Sequence, residues 1–165
     1  MPVKAEDYAQ QVKTQLNEAW LPTIYLERIL KMRTRSYHFG ALKRNQQIEI
    51  QHTLLGVELR IGKRRHLCPD LPTARYLSVF ARAGCTDVAV PYDITKTSAL
   101  ADQLESSWYR MLLLADHNAA NRTERFRTRI HGLLIAKLRT EIAAAGAGTA
   151  VPEFRQSTSQ RKLAI

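Results

Sequence analysis

Apolar residues recur at helical spacing near the start of the chain. One stripe follows every fourth residue: Tyr8, Val12, Leu16 and Trp20. This spacing predicts an amphipathic helix, and Pro22 interrupts it. Thr23 can cap a second helix with an apolar face of its own, ending near Arg35. The stretch 36–45 loses this periodicity and contains Gly40, so it is predicted to be a loop.

The period changes to two between residues 46 and 68. Two sets of alternating apolar residues follow in opposite phase: Ile48 and Ile50, then Leu55, Val57, Leu59 and Ile61. A one-residue slip would turn every side chain to the wrong face, so a β-bulge or tight turn is predicted at Leu55-Gly56. Gly62-Lys63 is typical of a hairpin turn, with a return strand at 64–68.

The rest of the chain is predicted to be mostly helical. The expected elements are a helix over 70–83, a short strand at 86–90, a helix from about 93 to 115 and a helix over 122–145. Asp70 is a plausible N-cap, and Gly84 is placed to end the first of these helices. After Gly146 the composition turns to Gly, Ala, Ser, Thr and Gln, which indicates a disordered basic tail over 146–165.

These elements predict one α+β domain over 1–145. Its small, mainly antiparallel sheet would contain the hairpin around 46–68 and the strand 86–90, packed against about five helices. The apolar faces of the last two helices, together with Trp20, could also support a homodimer. A length of 165 residues with 45% hydrophobic content suits a single core.

Composition narrows the expected environment. No apolar run is long enough to cross a membrane, and the N-terminus has no apolar signal stretch, so a cytoplasmic protein is expected. Cys68 and Cys85 are too few for a disulfide framework and are expected to be buried thiols. With His66 they offer three possible zinc ligands, but the second close pair of a structural zinc site is missing.

Charge is the most informative part of the composition. The chain carries a formal net charge of +10. Residues 27–65 hold ten Lys and Arg against three Glu, a net +7, and residues 122–165 hold nine against three, a net +6. The remaining residues are slightly acidic. Charge grouped in two blocks predicts an anionic partner rather than a merely soluble surface.

Twelve residues of these blocks are candidates for binding nucleic acid. The β-hairpin contributes cations that could grip phosphates, the last helix contributes a stripe of three arginines, and the loop after the second helix contributes four cations and two aromatic rings that could stack on bases. The candidates are Lys63, Arg64, Arg65, Arg122, Arg125, Arg129, Arg33, Arg35, Lys43, Arg44, Tyr37 and Phe39. The alternatives that involve no ligand are a solvated charged face and rings packed beneath the loop.

Motifs for catalysis are weak by comparison. No glycine-rich phosphate loop opens the 57–90 region, and no serine lies in a nucleophile elbow, so no cofactor is expected. A metal-dependent nuclease could use Glu58, Asp70 and Asp87 at strand ends. These acidic residues also have structural explanations. Asp70 and Asp93 can cap helices, and Glu58 can pair across strands with Arg64 or Arg65.

Two hypotheses follow from different classes of function. The first is a non-enzymatic, weakly sequence-selective nucleic-acid-binding protein, for which six to eight phosphate contacts predict a log–log salt slope of roughly −5 to −7. The second is an assembly or regulatory factor that docks on an acidic protein surface through its basic face and tail. The tail segment Val151–Arg155, with its exposed Phe154, would then be the contact.

Overall fold

The computed structural model of the chain describes residues 4–40 and 46–148. These residues form four helices of three turns or more, a 3-10 turn (Asn17–Ala19), one short helical segment (Leu21–Ile24 with Tyr25–Ile29) and five strands. The helices are α1 (Ala5–Leu16), α2 (Leu71–Ala83), α3 (Ile94–Asn118) and α4 (Glu124–Ala145). The strands are β1 (Thr34–His38), β2 (Ile48–Thr53), β3 (Gly56–Ile61), β4 (Arg64–Cys68) and β5 (Asp87–Pro91). The α+β class is confirmed, with four helices instead of about five.

The predicted second helix is shorter than expected and begins before Thr23, with Trp20 in the N-cap position. A single α-helical turn, Leu21–Ile24, continues as a π-helical turn, Tyr25–Ile29, and the helix ends there. Residues 30–32 form a turn and bend, and Thr34 and Arg35 begin β1, because they find a partner in β5. Pairing between distant segments has overridden the local helical spacing. The prediction of a loop over 36–38 was therefore also wrong.

Helix boundaries follow the capping residues. The Asp70 carboxylate accepts a hydrogen bond from Thr73 N at 2.7 Å, and the Asp93 carboxylate accepts from Thr95 N at 2.9 Å. The Thr123 hydroxyl accepts from Phe126 N at 3.1 Å, so α4 starts after Thr123. Each cap satisfies a backbone donor that the first turn leaves unpaired. The predicted capping by Asp70 and Asp93 is confirmed.

Strands β2, β3 and β4 form a three-stranded antiparallel meander. The change of phase is a tight turn at Leu54 and Leu55, one residue before the predicted Leu55-Gly56, and the second turn lies at Gly62 and Lys63 as expected. One face of the meander packs on α2 and buries Leu59 and Ile61 completely. The opposite face, called the outer face below, carries the polar residues of the same strands.

Strand β5 belongs to a second sheet, so the prediction of one sheet was wrong. It pairs antiparallel with β1, from Thr34 opposite Pro91 to His38 opposite Asp87. On its other side two tyrosine hydroxyls replace a strand: Ala89 N donates to Tyr25 Oη at 3.0 Å, and Tyr76 Oη donates to Ala89 O at 2.5 Å. Burial raises the pKa of Tyr25 to about 12, so its hydroxyl stays protonated.

The apolar stripes of the long helices are used inside the protomer. Trp20, Leu104 and Ile130 are all buried in one continuous core, so the faces proposed for a homodimer are already covered. The chain then leaves α4 at Gly146, whose carbonyl accepts a hydrogen bond from Tyr25 Oη. Residues 149–165, most of the predicted tail, lie outside the described residues. Among the described helices, none combines the length and apolar character needed to cross a membrane.

Candidate nucleic-acid interface

The three cations expected to act together at the hairpin are separated by the strand geometry. Adjacent residues of β4 point to opposite faces, so Arg64 and Arg65 diverge. Arg64 Nη1 donates to Phe39 O at 2.9 Å, at the end of β1. Arg65 lies on the outer face with its Nε 3.9 Å from Glu58 Oε1, which confirms the predicted cross-strand pairing. Lys63 is exposed in the turn itself.

The two aromatic rings expected to stack on bases pack against His66 instead. Phe39 is 1% exposed, so its ring is removed from any ligand surface. Tyr37 is half-buried, and its hydroxyl shares a 2.6 Å hydrogen bond with His66 Nδ1. The three rings meet edge to face with centroids 5.1–6.0 Å apart. Phe39 is therefore packed inside the protein, and only part of Tyr37 reaches the surface.

His66 makes this cluster sensitive to acid. Its Nε2 is buried with no hydrogen-bond partner among the described residues. Burial, with a smaller contribution from the Arg64 charge, lowers the pKa of His66 below its ordinary value of 6.5. Within the folded protein a proton on this ring would be a buried charge with an unpaired N–H.

This lowered pKa predicts a loss of stability in mild acid. Between pH 6.5 and the lower folded-state pKa, the unfolded chain binds a proton at His66 and the folded chain does not. This contribution to the free energy of unfolding is therefore complete above pH 6.5 and declines as the pH falls below it. Urea melts of His66→Gln between about pH 7.5 and 5 should show a weaker pH dependence than wild type. The control is His52→Gln, an exposed histidine on β2; an equal change in both variants would contradict the assignment.

Arg33 and Arg35 lie on one face of the β1 segment, together with Tyr37. Their side chains alternate with buried Thr34 and so point the same way. The Arg33 guanidinium lies 5.1 Å from the centroid of the Tyr92 ring, and Arg35 is exposed. Neither arginine has a carboxylate within 4.0 Å among the described residues, and the same is true of Lys63.

The end of β1 lies against the meander. Tyr37 contacts His66, and Arg64 Nη1 donates to the carbonyl of Phe39, so the β1 segment leads to the strand that begins at the Lys63 turn. We call the three side chains Arg33, Arg35 and Lys63 the cationic strip. Lys43 and Arg44 lie outside the described residues. Among the described ones, Gly40 lies beside the Arg64 side chain and Gln46 lies beside Gly62.

The arginine stripe of α4 is smaller than predicted and lies elsewhere. Arg122 precedes the Thr123 cap, and its guanidinium lies 3.8 Å from the Phe126 ring centroid and 5.8 Å from that of Tyr8. Arg125 and Arg129 remain one turn apart on the helix, with Arg129 Nη2 3.6 Å from Glu6 Oε2. Arg125 is 21 residues before Gly146, about 31 Å along the axis from the end of α4 that contacts Tyr25.

Each acidic residue proposed for metal chemistry interacts with a different partner. Glu58 faces Arg65, Asp70 caps α2, and the two carboxylate oxygens of Asp87 bond His38 Nδ1 at 2.5 Å and Thr86 Oγ1 at 3.1 Å. The His38 hydrogen bond is the main cause that lowers the pKa of Asp87. Within 4–40 and 46–148 no three His, Cys, Asp or Glu side chains converge on a possible metal position.

The sequence contained a signal for the cationic strip that helical spacing obscured. Arg33, Arg35, Tyr37 and Phe39 occupy every second position, which is the period of a strand. Recognising that strand would have placed both arginines on one face. Comparison of the chain with protein-family models, curated proteins and solved structures gave no match.

Proposed function

We propose that the protein binds a nucleic acid by its phosphates through the cationic strip. The observation that carries this proposal is that Arg33, Arg35 and Lys63 are exposed without carboxylate partners among the described residues. Arginine and lysine in this state keep their hydrogen-bond donors available for phosphate oxygens. Cations already paired with carboxylates, such as Lys13 and Arg75, would first have to break those pairs.

The dimensions of the strip suit a short run of backbone. From Arg33 to Phe39 the β1 segment covers about 20 Å at the usual rise of a strand. The three cations of the strip predict a log–log salt slope of about −2.1 on a single strand and about −2.7 on a duplex. Lys43 and Arg44 lie outside the described residues.

The same geometry favours weak sequence selectivity. Phosphate contacts fix the position of a protein on nucleic acid but carry no direct sequence information. Of the two rings offered for stacking, Phe39 is buried and Tyr37 is tied to His66. Reading of bases would need exposed rings or amides at this surface.

The proposal is tested by fluorescence anisotropy with single-stranded RNA and duplex DNA over a salt series. The double variant Arg33→Gln, Arg35→Gln should bind at least about tenfold more weakly, with a slope shallower by about 1.4 on a single strand. The matched control is Arg125→Gln, Arg129→Gln, which removes the same charge from α4. It should change the affinity by less than about threefold, through the long-range field alone.

Equal losses in the two double variants would show that only net charge matters and would reject the strip. Polyglutamate that displaces the nucleic acid as readily as unlabelled RNA would favour the alternative, an acidic protein surface. That alternative rests largely on the Val151–Arg155 segment, outside the described residues.

A further inference from the structure

The β2–β3 turn and the outer face of the meander expose apolar side chains that the core does not use. Leu54 and Leu55 form the β2–β3 turn with relative exposures of 106% and 85%, and Leu67 on β4 is 62% exposed. Leu67 reaches this turn, since its Cδ1 lies 3.9 Å from where a Cβ on Gly56 would be. The three leucines, called the leucine tip below, are therefore neighbours. Clustered exposed leucines mark an interaction surface more often than isolated ones do.

The backbone holds this tip in a fixed shape. Thr53 Oγ1 accepts a hydrogen bond from Leu55 N at 3.2 Å and donates to Gly56 O at 3.1 Å, bridging the turn from both sides. Gly56 has φ +130°, a conformation that L side chains rarely adopt. A rigid apolar anchor loses little conformational entropy when it is buried by a partner.

The charges of the strand residues on the outer face balance, in contrast to the chain as a whole. Arg60 Nη1 donates to Gln51 Oε1 at 3.1 Å, and Gln51 Nε2 donates to Glu49 Oε1 at 2.8 Å. Arg65 faces Glu58 across the strands. The strand residues of the outer face thus carry two cations and two anions, on a protein with net charge +10. Two copies can approach through this face without the repulsion that their other basic surfaces would produce.

We infer that the outer face of the meander is a self-association surface on which two copies bury their leucine tips. A phosphate-rich partner gains little there because the charges cancel, whereas a second copy supplies an apolar surface and the same balanced charges. Three strands about 4.8 Å apart and about 20 Å long present only a few hundred Å². A stable interface buries about 800 Å² per partner, so the dimer is a weak one that forms at high concentration.

The test is sedimentation velocity of the whole chain without nucleic acid, from about 5 to 500 μM, the range of weak association. In about 1 M salt, where the Debye length is about 3 Å, phosphate binding is suppressed and apolar association persists. Wild type should shift from 18.8 kDa toward twice that mass as concentration rises. The double variant Leu54→Ser, Leu55→Ser should remain monomeric throughout. Leu113→Ser, at an α3 leucine that is 67% exposed, is the matched control and should dimerise like wild type.

Several outcomes would overturn the inference. Wild type that stays at 18.8 kDa throughout excludes self-association, and equal loss in the Leu113→Ser control shows that any exposed leucine acts alike. Wild type that is monomeric but binds phosphatidylcholine vesicles only with Leu54 and Leu55 intact assigns the tip to lipid. Circular dichroism of both variants checks that they fold. The result is independent of the cationic strip, whose variants leave the leucine tip unchanged.

Discussion

Replacement of Trp20 by alanine is expected to lower the free energy of unfolding by about 3–5 kcal/mol, as loss of a buried tryptophan usually does. Trp20 is 2% exposed and lies between α1 and the short helical segment. Its Nε1 donates to Glu141 Oε1 at 2.9 Å, and Lys13 Nζ binds the other oxygen of the same carboxylate at 2.9 Å. The alanine variant loses both the ring packing and the bond that joins this region to α4.

Two milder variants separate these contributions in urea melts. Trp20→Phe keeps most of the ring and removes the N–H, so it should cost about 1–2 kcal/mol. Glu141→Gln keeps an oxygen that can accept from Trp20 Nε1 but removes the negative charge that Lys13 binds. Because this ion pair is partly exposed and such pairs contribute little, the free energy of unfolding should fall only slightly. A Trp20→Ala loss no larger than the Trp20→Phe loss would show that the ring is not a packed part of the core.

Removal of both tyrosine hydroxyls at β5 should have the second largest effect. Tyr25→Phe leaves Ala89 N without its acceptor, and Tyr76→Phe leaves Ala89 O without its donor. An unpaired buried backbone group costs about 1–3 kcal/mol, so the double variant should lose about 2–5 kcal/mol. The two losses need not add, because both hydroxyls serve one residue.

Chemical denaturation with far-ultraviolet circular dichroism measures these losses. The control is Tyr109→Phe, since Tyr109 is exposed and its hydroxyl accepts one bond from Arg82 Nη1 at 3.2 Å. Its free energy of unfolding should stay within about 0.5 kcal/mol of wild type. A Tyr25→Phe, Tyr76→Phe variant as stable as this control would mean that water satisfies Ala89.

The parts of the fold that the sequence predicted well are those with local causes. The Asp70 and Asp93 caps, the turn after Thr53 and the Gly62-Lys63 turn each depend on a few neighbouring residues. Their chemistry is the same in an isolated segment as in the folded chain. The meander could be read from its period for the same reason.

The misassigned parts depend on distant partners. The sequence predicts helix and loop for residues 34–38, because the helical spacing before them obscures their two-residue period and the strand depends on pairing with distant β5. The candidate site also depends on such geometry. Arg64 and Arg65 are adjacent in sequence but point to opposite faces of β4. Arg122 packs against Phe126 because the Thr123 cap excludes it from α4. Charge located the basic regions, whereas strand and cap geometry decides which cations are available.

The two sheets differ in how much chain separates their paired residues, and this orders their formation. No pair in the meander is more than 13 positions apart, Ile48 with Ile61, whereas β1 and β5 join residues at least 49 apart, His38 with Asp87. Closing the longer loop costs about 1.2 kcal/mol more in chain entropy. The hairpins of the meander are therefore expected to close before β5 returns to β1.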